Sequence, residues 1–202
     1  MRNLLVLVAA LVLVLVFIYK PERRWPPGMV INSDPVMGRL THGPVWTKGD
    51  YTITGQASYK VRARVLCVNH QFSDSAHDIS PYDYLLGWRR MSEQGMLDKF
   101  TIYDFWRRQV QISWKGPAPM TETETFSSLG NMHLIPSNDT VRSALGKARP
   151  GDIVNLEGWL VDVTKPGGWE MRTGITELTG PHACKVVYVE RFSIEPPVGT
   201  VR

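Results

Sequence analysis

The sequence predicts a β-rich α+β fold: a small curved antiparallel sheet or barrel with short helices, preceded by one N-terminal transmembrane helix. Three observations predict it. Leu4–Tyr19 is sixteen residues long without a charge or a proline. Tyr59, Val61, Ala63, Val65 and Cys67 alternate with Lys60, Arg62 and Arg64, the period of a half-buried strand with a basic outer face. Asp152–Val163 is an apolar-rich run with Gly158 inside it, where a sheet would bulge or bend.

The chain has 202 residues. Setting aside the hydrophobic run leaves roughly 180, enough for one well-buried domain. The expected organisation is an anchor over 1–20, a Pro-rich spacer over 21–50, one globular domain over 51–195 and a tail over 196–202. The spacer carries Pro21, Pro26, Pro27, Pro35 and Pro44 with little periodicity.

At 1.5 Å per residue the hydrophobic run makes a helix of roughly 24 Å, a little short of a hydrocarbon core of about 30 Å. Tyr19 and Trp25 at headgroup level, with Lys20, Arg23 and Arg24 snorkelling, cover the shortfall. The run ends in Phe17-Ile18-Tyr19-Lys20-Pro21 with no A-x-A site, so an uncleaved anchor is expected rather than a signal peptide. Counting Lys20, Arg23 and Arg24 against Arg2 would place the domain in the cytoplasm. The three-residue N-terminal tail instead matches export anchors. The expected location is a bacterial inner membrane, single-pass, with the domain periplasmic.

The elements follow in order. Tyr51–Thr54 reads as a strand bent at Gly55, and Tyr59–Cys67 as the next. Ser80-Pro81-Tyr82-Asp83 has the form of a helix start, with a short helix over Tyr84–Arg90. Ser92-Glu93 opens another. Phe100–Tyr103 and Val110–Trp114 read as a hairpin. Ser137-Asn138-Asp139 caps a helix over Thr140–Lys147. Asp152–Val163 turns through Lys165–Gly168 into Trp169–Arg172, and Lys185–Glu190 closes the fold. That makes five to seven strands.

The run GDIVNLEGWLVDV (151–163) resembles strands of OB-like barrels, in which a glycine permits sharp coiling. SPYDYLLGWRRMS (80–92), NMHLIP (131–136), that same run and the late Cys184 together resemble a group of small, N-terminally anchored bacterial proteins. The resemblance spans Tyr59 to Glu190. It implies an envelope setting and carries no enzyme signature.

Net charge is +4 with a pI near 9.1. That is too sparse a basic stripe for a protein built to neutralise many phosphates, which argues against a nucleic-acid partner. Only Cys67 and Cys184 occur; in an oxidising compartment they could pair and staple distant strands, and buried free cysteines explain the same two residues. No cofactor motif is present.

The catalytic candidates are His133 with Asn131 beside it, and His182 with Cys184. At i and i+2 on one strand, an imidazole and a thiol share a face, and a neighbouring imidazolium lowers a thiol pKa. A loop histidine that fixes a turn and a packed cysteine explain the same residues. His70, Asp74, His77, Asp78 and Asp83 form a local group of metal-ligand types, with no standard spacing. Helix N-terminal charge preference accounts for Asp83. Trp88 and Trp106, among Arg89, Arg90, Arg107 and Arg108, would make a stacking platform if exposed, and core packing if not.

The expected function is that of a non-enzymatic, membrane-tethered accessory or scaffold protein that contacts other envelope proteins. The alternatives are a Cys/His-dependent hydrolase or transferase using His133 and Cys184, which requires the two within hydrogen-bond reach, or one water, in a concave pocket, and an oligosaccharide- or nucleic-acid-binding barrel.

Overall fold

The computed structural model describes residues 22–104, 108–175 and 184–196. The hydrophobic run Leu4–Tyr19, Trp106, Arg107 and His182 lie outside them. Among the described residues no helix is long and apolar enough to cross a membrane.

The backbone of the fold is one 20-residue strand, β3 (Tyr51–His70), which follows β1 (Val36–Arg39) and β2 (Val45–Lys48). Its aromatic and β-branched residues alternate with polar ones, so one face is buried along most of its length. Two register shifts, at Gly55/Ala57 and Val65/Cys67, bend it. Its first part pairs with β8 (Ile153–Lys165) and its last part with β4 (Tyr82–Gly87). β4 then pairs with β7 (Leu129–Pro136), β7 with β10 (Lys185–Ile194), and β10 with β8. The pairings β3–β4–β7–β10–β8 therefore return to β3. Gly158 sits where β8 and β10 approach closely: a Cβ there would lie 2.0 Å from the Tyr188 carbonyl oxygen.

Alternate residues of these strands fill the inside of the ring. Tyr59, Val61, Ala63, Tyr84, Leu86, Met132, Leu134, Leu156, Leu160, Val187 and Val189 share one apolar cluster. Helix α3 (Asp139–Leu145) adds Val141 and Leu145 to that cluster, and Tyr84 Oη donates to the Leu145 carbonyl. It follows the short helices α1 (Gln94–Leu97) and α2 (Glu122–Ser127). As expected from Asn138, α3 starts with that side chain accepting from Val141 N at 3.0 Å. The hairpin β5 (Phe100–Asp104) and β6 (Val110–Trp114) forms a separate two-stranded sheet, and β9 (Trp169–Met171) turns back on β8.

Four expectations change. Tyr84–Arg90 is not a helix: Tyr82–Gly87 is strand β4, almost entirely buried on both faces. A strand walled in on both sides has little polar residue to show, so its period is hidden. The sheet is also not purely antiparallel, because β7 and β10 run parallel. It holds more strands than five to seven. Residues 22–50 are not an extended spacer, since they hold β1 and β2 and bury Trp25 and Ile31 in the main cluster. Burying side chains of that size contributes about 1.5–3 kcal/mol each, which favours docking over a free tether.

Candidate active site

The site lies on the outer face of β4, β7 and β10. Asp83 and His133 are register partners across β4 and β7, so both side chains leave the sheet on the same side. Asn131 is two residues before His133 and shares that face. On the other flank His133 pairs with Val186 of β10, and Cys184 lies two residues before Val186, just ahead of the strand. Strand period and register alone thus bring a carboxylate, an imidazole, an amide and a thiol together from three separate stretches of chain.

The contacts bear this out. His133 Nδ1 lies 2.7 Å from Asp83 Oδ1, and the His133 ring is near enough to the Cys184 thiol for each to shift the other's titration. Asn131 Nδ2 donates to Cys184 Sγ at 3.6 Å and to the Arg108 carbonyl at 2.8 Å. That carbonyl fixes which end of the amide carries the protons. Asn131 Oδ1 is buried with no hydrogen-bond partner.

Asp83 is 4% exposed and held from three directions: His133 and Arg108 Nη1 (2.8 Å) on Oδ1, and Gln71 Nε2 (2.7 Å) on Oδ2. Arg108 is itself buried, and each guanidinium nitrogen is used. Nε and Nη2 bind Asp74, Nη1 also binds Ser80 Oγ, and Nη2 the Ser80 carbonyl. Its φ of 61° is the left-handed region that non-glycine residues avoid, sustained here by these contacts. The loop between β5 and β6 therefore reaches the site through Arg108, which fixes Asp83 with its side chain and Asn131 with its carbonyl.

The electrostatics favour an ion pair. Burial alone would lower the His133 pKa, but its hydrogen bonds to Asp83 and Cys184, and the charge on both, push it up to about 9. Burial would raise the Cys184 thiol. The hydrogen bond and charge of His133, helped by the Asn131 amide, outweigh that and hold the thiol below its ordinary value. The pair titrates as a unit and supports thiolate beside imidazolium.

Of the catalytic candidates, the structure brings together His133, Asn131 and Cys184; His182 lies outside the described residues. Cys67 and Cys184 are not bridged. Cys67 packs against a separate apolar cluster around Leu85, Met91 and Leu129, which removes the expected staple. The metal-ligand group is dispersed into other contacts: His70 packs edge-on to Tyr82, His77 Nδ1 meets the Asp74 carbonyl, and Asp78 accepts from Tyr51 Oη. Among the described residues no group of three such side chains could hold a metal ion. Trp88 is buried and donates to the Ser127 carbonyl, while Arg89 pairs with Asp34 and Arg90 with Glu124, so these residues form no platform. A groove lined by Lys48, Tyr51, Asp78 and Lys165 shares no residue with the thiol site.

Asp83 and Arg108 are the residues whose roles sequence reasoning missed. The usable signal was the alternation of Tyr82, Tyr84 and Leu86, which makes Asp83 the odd residue facing outward from a strand. No protein-family model matches the chain, and no curated protein or solved structure shows a significant match to it.

Proposed function

We propose that the protein is a thiol-dependent acyl hydrolase or acyltransferase, with Cys184 as nucleophile, His133 as acid and base, and Asp83 as the group that orients His133. The observation that carries this reading is the convergence of Asp83, His133, Asn131 and Cys184: a buried carboxylate hydrogen-bonded to an imidazole, with the thiol beside that imidazole and held by the Asn131 amide. A scaffold protein has no use for an imidazolium–thiolate pair backed by a buried carboxylate, which is why the enzymatic reading replaces the accessory one. Acid, base and nucleophile in this mutual geometry recur wherever acyl groups are transferred.

The chemistry balances without a co-reactant beyond the acyl acceptor. Asp83 engages Nδ1, which leaves Nε2 for the sulfur. The thiolate attacks the carbonyl carbon of an ester, thioester or amide. The tetrahedral intermediate collapses, and the leaving group departs with the proton of the imidazolium. The now neutral His133 takes a proton from water, or from an acceptor hydroxyl or amine, which attacks the thioester. Release of the acyl product returns the thiolate–imidazolium pair. The Asn131 N–H directed at sulfur stabilises the thiolate before attack.

The setting proposed for this activity is an OB-like barrel anchored by Leu4–Tyr19 in a bacterial inner membrane, its domain on the periplasmic side. The ring of strands, the parallel pairing of its third and last members and the helix between the third and fourth support the barrel reading. A C-terminal alkaline phosphatase fusion tests the location, since it is active only outside the cytoplasm.

The activity is tested by alkylation and acylation of the purified protein. Iodoacetamide should label Cys184 well below the pH of an ordinary thiol, whose pKa is about 8.5. Intact-mass analysis after p-nitrophenyl acetate should show one acetyl group on Cys184, turned over with time. Labelling that follows an ordinary thiol titration, unchanged in His133→Gln, would sink the reading.

A further inference from the structure

The place where the chain enters the domain is bolted down. Arg23 N donates to the Pro150 carbonyl at 2.9 Å, and the Arg23 side chain pairs with Asp152 at 3.2 Å. The Arg23 carbonyl accepts from buried Arg64. It also lies so close to Gly151 that a Cβ there would sit 1.9 Å from it. Arg24 binds Asp98 through both carboxylate oxygens at 2.7 Å. Trp25 is buried, with Nε1 donating to the Gly151 carbonyl at 2.6 Å and N donating from the backbone to Gln94. Nothing in this stretch behaves as a tether.

The hydrophobic run ends at Tyr19, four residues before Arg23. Fully extended, four residues span about 14 Å. If the run lies in a bilayer, the corner formed by Arg23–Trp25, Asp98 and Pro150–Asp152 stays within about 14 Å of the end of that run, at the bilayer surface. We propose that this corner is a membrane-apposed face, and that the domain is seated on the lipid surface in one orientation. The exposed side chains beside it are Glu22, Arg24, Asp98, Lys99 and Lys147; Arg24 and Asp98 neutralise one another, and Lys99 and Lys147 suit anionic headgroups. The opposite end is the β2–β3 turn at Asp50. Thr52 pairs with Thr164 at the far end of β8, a strand whose start follows Pro150 and which runs about 40 Å.

The proposal rests on Leu4–Tyr19 being the membrane segment and is independent of the chemistry at Cys184. The test uses the full-length chain in vesicles of phosphatidylcholine and phosphatidylglycerol carrying a small fraction of headgroup nitroxide lipid. A dye is coupled to p-azidophenylalanine introduced at Lys99, Lys147 or Asp50, with both native cysteines kept. Dyes at 99 and 147 should be quenched several-fold more than the dye at 50. Inserting twenty Gly/Ser residues between Pro21 and Glu22 should bring all three to the weak level. Equal quenching at the three positions in the native-length chain would overturn the proposal, as would failure of the chain to float with the vesicles. Quenching of 99 and 147 that survives the insertion would assign the seating to the surface itself rather than to the short connection, and would overturn the role given to Arg23.

Discussion

The inside of the ring and the polar patch on its outside are made of alternate residues of the same strands, yet they are held in opposite ways. In β7, Met132 and Leu134 face in while Asn131 and His133 face out; in β4, Tyr84 and Leu86 face in while Asp83 faces out. The interior is held by apolar area shared among some twenty buried side chains, so each one is partly replaceable. The patch is held by directional hydrogen bonds and ion pairs among a few named side chains. Loss inside therefore costs stability in proportion to volume, whereas loss of the thiol outside costs function first, the buried Asp83, Arg108 and His133 being the part of the patch that also carries stability.

Four measurements would break or sharpen that contrast. Cys184→Ala should lower acyl transfer by at least about 10³-fold, since the covalent route is removed. Its melting temperature should stay close to wild type, and a large fall in stability would erase the distinction. His133→Gln should lower turnover by about 10²–10⁴-fold and move the iodoacetamide profile to that of an ordinary thiol. Leu134→Ala should cost about 2–5 kcal/mol in denaturant unfolding while leaving the alkylation profile of the folded protein in place. A shifted profile there would mean that core and patch are not separable.

The smallest expected effect is a pH dependence of stability. His133, raised from 6.5 to about 9, contributes stability that is complete below about pH 6.5 and lost as pH climbs through about 9. Cys184, depressed from 9.0, contributes stability that is complete above about pH 9 and lost as pH falls through its lowered value. Where the native pair is imidazolium and thiolate and the unfolded chain holds imidazole and thiol, each state binds one proton, and the two slopes cancel. Thermal melts of wild type should be flat through that window. Cys184→Ala keeps only the part of the histidine limb that Asp83 supports, and should lose stability as pH rises above about 6.5, over a narrower range than the pair would give. A flat Cys184→Ala curve would show that Asp83 alone does not hold His133 protonated.

Legibility in the sequence followed exposure. Strands with one wet face, such as Tyr59–Cys67, announce their period, and the capping signal at Asn138 was enough to place α3. β4 was hidden because both its faces are buried, and with it went the role of Asp83. The members His133 and Cys184 were visible as residue types, but their meeting depends on the parallel pairing of β7 with β10, a contact across some fifty residues that no local pattern encodes. Arg108 was seen only as part of a basic run. Its role depends on a left-handed backbone at the edge of a hairpin loop, which nothing in the side-chain pattern announces. The headgroup role expected of Trp25, and the snorkelling expected of Arg23 and Arg24, give way to docking on the domain: Trp25 and Ile31 are buried in the main cluster, and the two arginines pair with Asp152 and Asp98.

Strand β10 is the last of the described elements, and it both completes the ring and brings Cys184, just ahead of it, to His133. During synthesis the base and its acid are laid down well before the nucleophile exists. Until the final strand docks, the thiol has no imidazole beside it and reacts as any cysteine does. On the proposed reading the protein arms in order: the sulfur gains its imidazole only once the ring of strands has closed, and a product truncated before residue 184 lacks the nucleophile.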